Sequence, residues 1–443
     1  MSKMKKHRVY AFVPAKGTSE RLESKNMLFL DGTRLFVRAL ETLLQCEEID
    51  KIFLDSESSE MYELADYLPI EFMKRDPRLA DNKTDGHEMF LNEIHRYPDA
   101  DIYVQLLCTS PFIESATIDH TLRRLKEDTM YDSALLMKRD KYYFWQNDQP
   151  VYDKNRIPNS ADLPYSISES MGLYICRKEA ALSTRRRYGD KPLLIYGKLH
   201  ELIDVNNRED LLFAETYAKG TRQFEIAKFN LLKHFMTSAA LSDLLDDMEA
   251  EKGEMCGGIV SGFESNFTSV LLGRANTLRL RTLRKDENYE GIYDALASYE
   301  GITENDIIVV ENEQKSHAYF GDLNARLAIR KGASGAIIDG ATRDKGMTTH
   351  LHFPVFARGY NSQDVRRRAT TDYINKPVKV GGVDVHPKDL IFADDGGVVV
   401  IYRKYEQEIL ERVLKTFQTE KAIFRDIVNG VSVNRILQNN GTF

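Results

Sequence analysis

The chain has 443 residues, enough for two or three domains with sizeable cores. Hydrophobic residues make up 42% and charged residues 29%, the balance of a soluble globular protein. No apolar run approaches the ~18–20 residues that cross a bilayer, so no membrane span is expected. A net charge of −7 argues against a dedicated nucleic-acid binder. Too few apolar residues precede Pro14 to form a secretory signal, which predicts a cytoplasmic location. Cys46, Cys108, Cys176 and Cys256 are scattered, with no CxxC and no zinc spacing, and are expected to be reduced thiols.

In chain order, short buried strands are predicted at Val9–Val13, Lys51–Leu54, Ile102–Leu107, Ser133–Met137 and Gly172–Ile175. Helical spacing is predicted at Leu35–Gln45, Ser59–Asp66 and Ile118–Lys126. Strands alternating with amphipathic helices predict a mostly parallel α/β sheet, which binds ligands at the carboxyl ends of its strands. Around Lys219-Gly220 the pattern stops. A helical stretch follows, carrying Leu231, Phe235, Leu241, Leu244 and Leu245. Then come β-rich segments at Gly258–Val260, Ser269–Leu272, Asp306–Val310, Gly335–Ile338, Phe353–Phe356, Val378–Val380 and Gly396–Tyr402. The change of pattern predicts two domains, 1–222 and 223–443.

The first strand runs into a basic loop holding Lys16, Gly17, Ser19, Arg21, Lys25 and Asn26. Glycine lets backbone N–H groups approach phosphate oxygens, and Lys and Arg supply charge where nucleotidyl transfer develops it. A solvated basic loop is the other reading of the same residues. The stretch Val13-Pro14-Ala15-Lys16-Gly17-x-Ser19-x-Arg21-x-x-x-Lys25-Asn26 resembles the opening motif of the cytidylyltransferases that activate sialic acid and related 2-keto sugar acids. In the same order, Leu54-Asp55-Ser56-Glu57 resembles that family's strand-end acidic segment. Arg75 resembles its arginine near the nucleotide or sugar, and Thr109-Ser110-Pro111 its turn after a central strand. Asp204-Val205-Asn206 resembles its late metal-binding segment.

The resemblance covers roughly residues 7–218 and implies a nucleotide-diphospho-sugar-transferase-like sheet. It implies transfer of CMP from CTP to a sialic-acid-like or Kdo-like acid, with release of pyrophosphate. Lys16, Gly17, Ser19, Arg21, Lys25, Asn26 and Arg75 would bind the nucleotide. Lys25 and Arg21 would be catalytic, and Asp204 and Asn206 would hold Mg²⁺ or Mn²⁺. Three positions depart from the family: Lys16 where Arg is common, Leu107-Cys108 where Gln-Pro is usual, and Asn206 where a second Asp stands. Gln105, on the same strand face as Leu107, could supply the missing amide. The aromatic segment 138–145, with the sole tryptophan Trp145, reads as a half-buried hairpin; a sugar platform or dimer arm is the alternative.

In the second half, Gly321-Asp322-Leu323-Asn324 opens a helix predicted over 322–331 and closed by Gly332. The following strand returns by about the same length, bringing Arg343-Asp344 beside the helix start. A helix N-terminus suits a carboxylate, Arg343 a carbonyl or carboxylate oxygen, and Asp344 a hard divalent cation. A surface Arg-Asp pair beside a capped helix is the plainer reading. Asp322-x20-Arg343-Asp344 is similar to the motif of the RraA-like superfamily, which includes class II 4-hydroxy-4-methyl-2-oxoglutarate aldolases. Gly335–Gly340, Phe353–Gly359, Gly381–Val383 and Ala393–Val400 add to the likeness.

This second resemblance implies a β/α sandwich forming a trimeric or hexameric ring. It implies Arg343 and Asp344 as the catalytic pair, with Asp344 anchoring Mg²⁺ or Mn²⁺, and Gly321, Asp322, Leu323, Asn324 and Arg343 holding the substrate. The sequence departs in Arg343-Asp344-Lys345-Gly346, where the glycine comes one place early. Because the superfamily also contains ribonuclease-binding regulators, two readings stay open. One is a bifunctional enzyme whose partners are CTP, a 2-keto sugar acid and pyruvate or an oxo acid. The other is a cytidylyltransferase with a catalytically silent oligomerisation or regulatory domain. A homo-oligomer without nucleic-acid or membrane partners is expected.

Overall fold

The computed structural model describes residues 7–19, 22–81 and 83–440. The chain is mixed α/β and divides into two compact units, Met1–Ala218 and Lys219–Phe443.

The first unit is a seven-stranded sheet. Its strands are β1 (Val9–Pro14), β2 (Lys51–Ser56), β3 (Glu71–Lys74), β4 (Ile102–Leu106), β5 (Ser133–Asp140), β6 (Ser166–Arg177) and β7 (Pro192–Tyr196). The spatial order is β7-β5-β6-β4-β1-β2-β3. Only β6 runs antiparallel to its neighbours. Both faces are covered, and the sequence of β1 shows why. Val9, Ala11 and Val13 pack on one side with Phe36, Leu40 and Leu43 of α1 (Leu35–Leu44). Tyr10 and Phe12 point the other way, toward Phe53 and toward Phe90 of α3 (Gly86–Arg96), α2 being Ser59–Ala65. The rings of Phe12 and Phe53 stack at 4.7 Å. Helix α4 (Ser115–Glu127) buries Ile118, Leu122 and Leu125, and α5 is Lys178–Thr184.

Around Lys219-Gly220 the alternation of strand and helix gives way to helix, α6 (Arg208–Leu232) running unbroken through both residues. Gly220 has open space around its α-carbon, so the helix tolerates it at a cost of about 1 kcal/mol. The aromatic segment is not a half-buried hairpin. Tyr142, Phe144 and Trp145 are all exposed; Lys138–Asp140 pair with Ser166–Ser168 in the main sheet, and Trp145–Gln146 with Gln149–Pro150 in a short separate ladder.

The second unit is a ten-stranded mixed sheet packed with helices as a β/α sandwich. After α7 (Ser238–Lys252) come β8 (Gly257–Val260), β9 (Leu271–Thr282), β10 (Ile307–Asn312), β11 (Ala318–Phe320), α8 (Asp322–Lys331), β12 (Gly335–Thr342), β13 (Val355–Tyr360), β14 (Ala369–Ile374), β15 (Leu390–Asp394), β16 (Gly397–Ile401) and α9 (Glu406–Val428). The main path is β8-β16-β15-β9-β10-β12-β13. Leu278, Ile308, Val310, Ala336 and Ile338 form one core with Ala325 and Ala328 of α8. Ala275, Ile307, Val309 and Ile337 form another on the opposite face. Helices α7 and α9 cover Leu390, Phe392, Val399 and Ile401. Helix α8 ends at Gly332, whose φ of 93° is the left-handed cap.

Candidate functional sites

The first site is a cavity of about 460 Å³ beyond the carboxyl ends of β1 and β4. It is lined by Pro14, Lys16, Ser19, Lys25, Asn26, Arg75, Leu79, Asp81, Thr84, Met89, Leu107, Cys108 and Thr109. The fold therefore gathers Lys16, Ser19, Lys25, Asn26 and Arg75 around one space. Arg21 lies outside the described residues. The loop is braced from within. Asn26 Nδ2 donates to the Lys16 carbonyl at 2.9 Å, and the Cys108 thiol donates to Asn26 Oδ1 at 3.2 Å. Burial pushes the Cys108 thiol up to about 12, against the pull of nearby Lys25 and Arg75, so it stays a protonated donor. Asn26 thus braces the loop against the strand end while still lining the cavity.

Two expectations change at this site. The Gly17 N–H is taken by Glu57 Oε1 at 2.8 Å, so it does not face a phosphate. Gln105 is 1% exposed and donates to both Glu93 carboxyl oxygens, at 3.1 and 3.0 Å. It sits inside the fold, where Glu93 of α3 covers it and takes its amide. Arg75 follows β3 and is 2% exposed. Its Nε and Nη2 meet Asp55 Oδ1 and Oδ2 at 3.0 and 2.9 Å, and Nη2 also meets the Asp55 carbonyl at 2.7 Å.

Asp204 sits beside this site, since the Val205 N–H bonds the Thr109 carbonyl at 2.8 Å and the Asp204 charge reaches Cys108. Asn206 Nδ2 donates to Asp204 Oδ2 at 2.5 Å, so its amide nitrogen, not its oxygen, faces the carboxylate. Asn206 thereby holds the Asp204 carboxylate in place. Among the described residues, no group of three or more His, Cys, Asp or Glu is arranged to hold a metal. A single hard carboxylate fits Mg²⁺, which takes one or two carboxylates and fills its shell with phosphates and water.

The second site is a cavity of about 620 Å³ at the start of α8. Gly321, Asp322, Leu323, Asn324, Arg343 and Asp344 all line it, with Tyr293, Leu296, Tyr319, Asp364 and Arg366. Arg343 N–H bonds the Phe320 carbonyl at 3.0 Å, and Asp322 N–H bonds Asp344 Oδ2 at 3.1 Å. A β-carbon at Gly321 would lie 2.6 Å from Asp344 Oδ2, so only glycine permits this approach. The Asp322 N–H, expected to receive a substrate carboxylate, is occupied by Asp344. Arg343 Nη2 pairs with Asp364 Oδ2 at 2.9 Å. Sequence reasoning missed Asp364, which a loop brings in through Ala318 N–H to Gln363 O and Val365 N–H to Ala318 O. Arg366, also missed, lies over Tyr289 and Tyr293 at 5.2 and 5.9 Å. Asp344 is one hard carboxylate at an open cleft, which fits a divalent ion completed by substrate and water.

Fold and sites define a class: two α/β units, each with basic groups and a carboxylate beside a cavity suited to a small anion. Comparison with known proteins makes this particular. Residues 10–178 match the Cytidylyltransferase family and residues 238–400 match the Aldolase/RraA family. The N-terminal half thus resembles the acylneuraminate cytidylyltransferases, and the C-terminal half the RraA-like proteins. N-acylneuraminate cytidylyltransferase of Escherichia coli is 24% identical over 227 residues, covering 47% of this chain and 52% of that protein. The "Putative 4-hydroxy-4-methyl-2-oxoglutarate aldolase" of Halalkalibacterium halodurans is 33% identical over 140 residues, 31% of this chain and 66% of its own. Protein DlpA of Legionella pneumophila is 28% identical over 209 residues, 46% of this chain and 33% of its own length. The chain therefore spans less than two thirds of each of these relatives. No helix among the described residues is long and apolar enough to cross a membrane.

Proposed function

We propose that residues 1–222 form a cytidylyltransferase domain that transfers CMP from CTP to a 2-keto sugar acid and releases pyrophosphate. The observation that supports this is the convergence of Lys16, Ser19, Lys25 and Arg75 on one cavity at the strand ends. The anomeric hydroxyl of the acid attacks the α-phosphate and pyrophosphate leaves. Lys25 and Lys16 place positive charge against the triphosphate, where it offsets charge developing in transfer. Arg75, fixed by Asp55, presents a guanidinium that costs no reorganisation on binding. A divalent ion held by Asp204 would neutralise phosphate charge and orient the leaving group. Mixing CTP, Mg²⁺ and candidate nonulosonic or octulosonic acids and following pyrophosphate tests this; no turnover with any of them rejects it.

Residues 223–443 form, in this reading, a pyruvate aldolase or oxo-acid lyase domain. Arg343, once released from Asp364, grips the oxo-acid oxygens, and the backbone around Gly321–Asn324 borders the carboxylate. An ion at Asp344 would polarise the oxo group. Pyruvate release from 4-hydroxy-2-oxo acids or oxaloacetate with Mn²⁺ is the assay, and activity unchanged in Asp344→Ala rejects the metal role. The Arg343–Asp364 pair also favours a second reading, in which this unit is a silent oligomerisation or regulatory ring: the arginine is already neutralised. Absence of pyruvate release from any such acid would select it. A cytoplasmic homo-oligomer acting only on small molecules completes the proposal, and sedimentation of the full chain tests its assembly.

A further inference from the structure

Beneath the first cavity lies a buried set of charged and polar groups, of which the proposed chemistry uses only Arg75 and the Asp55 that fixes it. Asp55 on β2, Arg75 after β3, Glu93 on α3 and Gln105 on β4 are between 0% and 2% exposed. Asp55 holds Arg75 through both carboxylate oxygens. Glu93 in turn hydrogen-bonds Asp55, and Gln105 donates to Glu93. Two carboxylates therefore share one guanidinium in a space almost closed to solvent. If both were ionised, an uncompensated negative charge would be buried, which costs far more than protonating one acid. Asp55 has the bidentate arginine, so the proton belongs on Glu93. Burial first, and the Asp55 charge second, raise the Glu93 carboxyl well above the usual range, against the opposing pull of Gln105 and Arg75.

Arg75 also lines the cavity, so the charge of this cluster is felt by whatever binds above it. We propose that Glu93 is a positioning residue of the first site: its hydroxyl donates to Asp55, holds the Asp55–Arg75 pair in register, and keeps the cavity floor from carrying net negative charge beneath a nucleoside triphosphate. The inference rests on the nucleotide reading above and deepens it. The groups that face Glu93 are Asp55 from β2, Arg75 after β3 and the neutral Gln105 from β4.

The test measures CTP binding in Mg²⁺ by the full chain, as wild type, Glu93→Gln and Glu93→Ala, with thermal unfolding alongside. Glutamine keeps a donor for Asp55 and an acceptor for Gln105, so its CTP affinity stays within about threefold of wild type. Alanine leaves Asp55 short of a donor and lets Arg75 shift, so affinity falls about tenfold or more. Infrared spectra at neutral pH supply a readout independent of the ligand: a protonated-carboxyl stretch present in wild type and lost in Glu93→Gln. Should Glu93→Ala fail to fold, that band and the Glu93→Gln affinity decide. Wild-type affinity in Glu93→Ala, a tenfold gain in Glu93→Gln, or no lost carboxyl band would each overturn the inference. A wild-type chain that binds no CTP would instead remove the nucleotide reading itself.

Discussion

The two cavities present the same pairing, an arginine clamped by an aspartate, in opposite settings. Arg75 and Asp55 are 2% and 0% exposed; Arg343 and Asp364 are 39% and 36% exposed. Their distances are alike, at 2.9 Å each. Burial separates them first, and the buried pair is also bidentate, through Nε and Nη2. In the first site the pair is a fixed part of the floor, and its charge balance is set by a third group. In the second it is an exposed contact that a competing anion can open, because water already stabilises both partners.

The sharpest way to break this contrast is to remove one partner of the buried pair. Asp55→Ala strands a guanidinium in the interior and should cost about 3–5 kcal/mol of stability. Urea unfolding of the first unit measures it. The exposed pair Arg78–Asp76 is the control: Asp76→Ala, which also removes the cap of the Pro77–Ala80 turn, should still shift the same transition far less than Asp55→Ala. Equal losses in the two variants would erase the distinction.

Next in size is a change in the cavity itself. Lys25 is 9% exposed in a 3-10 turn, and it lines the cavity together with Lys16 and Arg75. Lys25→Ala should lower kcat/KM for pyrophosphate release by about 10²–10³, or ~3–4 kcal/mol in the barrier. Retained turnover would show that the remaining cations suffice.

How far the sequence carries such contrasts depends on where the chemistry lies along the chain. The loop Lys16–Asn26 and the pair Arg343-Asp344 are legible because their groups are close in sequence and hang from predictable strands. The helix 322–331 and its glycine cap are likewise local, and the structure has both. Glu93 was not read, though a signal existed: it falls on the stripe Phe90, Glu93, Ile94, Tyr97, a carboxylate on the apolar face of a helix. Its meaning arises only when α3 packs on the sheet beside Asp55. Asp364 had no signal at all, since a loop between two strands brings it to Arg343. The segment Glu406–Val428 was simply missed, although Ile409, Leu410, Val413 and Phe417 repeat at helical spacing. Gln105 shares the face of the cavity-lining Leu107, but strand alternation cannot show that Glu93 of α3 packs over it.

A third, smaller effect concerns pH in the second unit. Asp339 is 1% exposed and accepts from Lys315 Nζ at 2.8 Å, Arg358 Nε at 2.9 Å and the Gly381 N–H at 3.0 Å. Burial acts to raise its carboxyl, but these three donors prevail and hold it below the usual range. The unfolded chain then binds this proton more readily than the folded one. The stabilisation is fully present above the unfolded value near pH 4, and is lost as pH falls through the folded one. Asp339→Asn should therefore be less stable than wild type at neutral pH, by about 1–3 kcal/mol, with a gap that narrows in acid. A gap constant from pH 7 down to about 3 would mean that Asp339 does not titrate with unfolding.

The smallest change in stability should carry the most information about the second site. Asp364→Asn removes the carboxylate from Arg343 without removing its shape. Because both partners are more than a third exposed, the cost in stability should not exceed about 1 kcal/mol. The effect on binding goes the other way. An arginine with no internal carboxylate no longer has to exchange one anion for another, so KM for an oxo acid should fall, by up to about tenfold, or ~1.4 kcal/mol. Steady-state kinetics of pyruvate release separates two roles for Asp364. A lower KM with kcat kept marks it as a competitor that the substrate displaces. A higher KM with lower kcat marks it as the group that aims Arg343 at the substrate, and then the exposed pair would be as much a part of its site as the buried one is of the other.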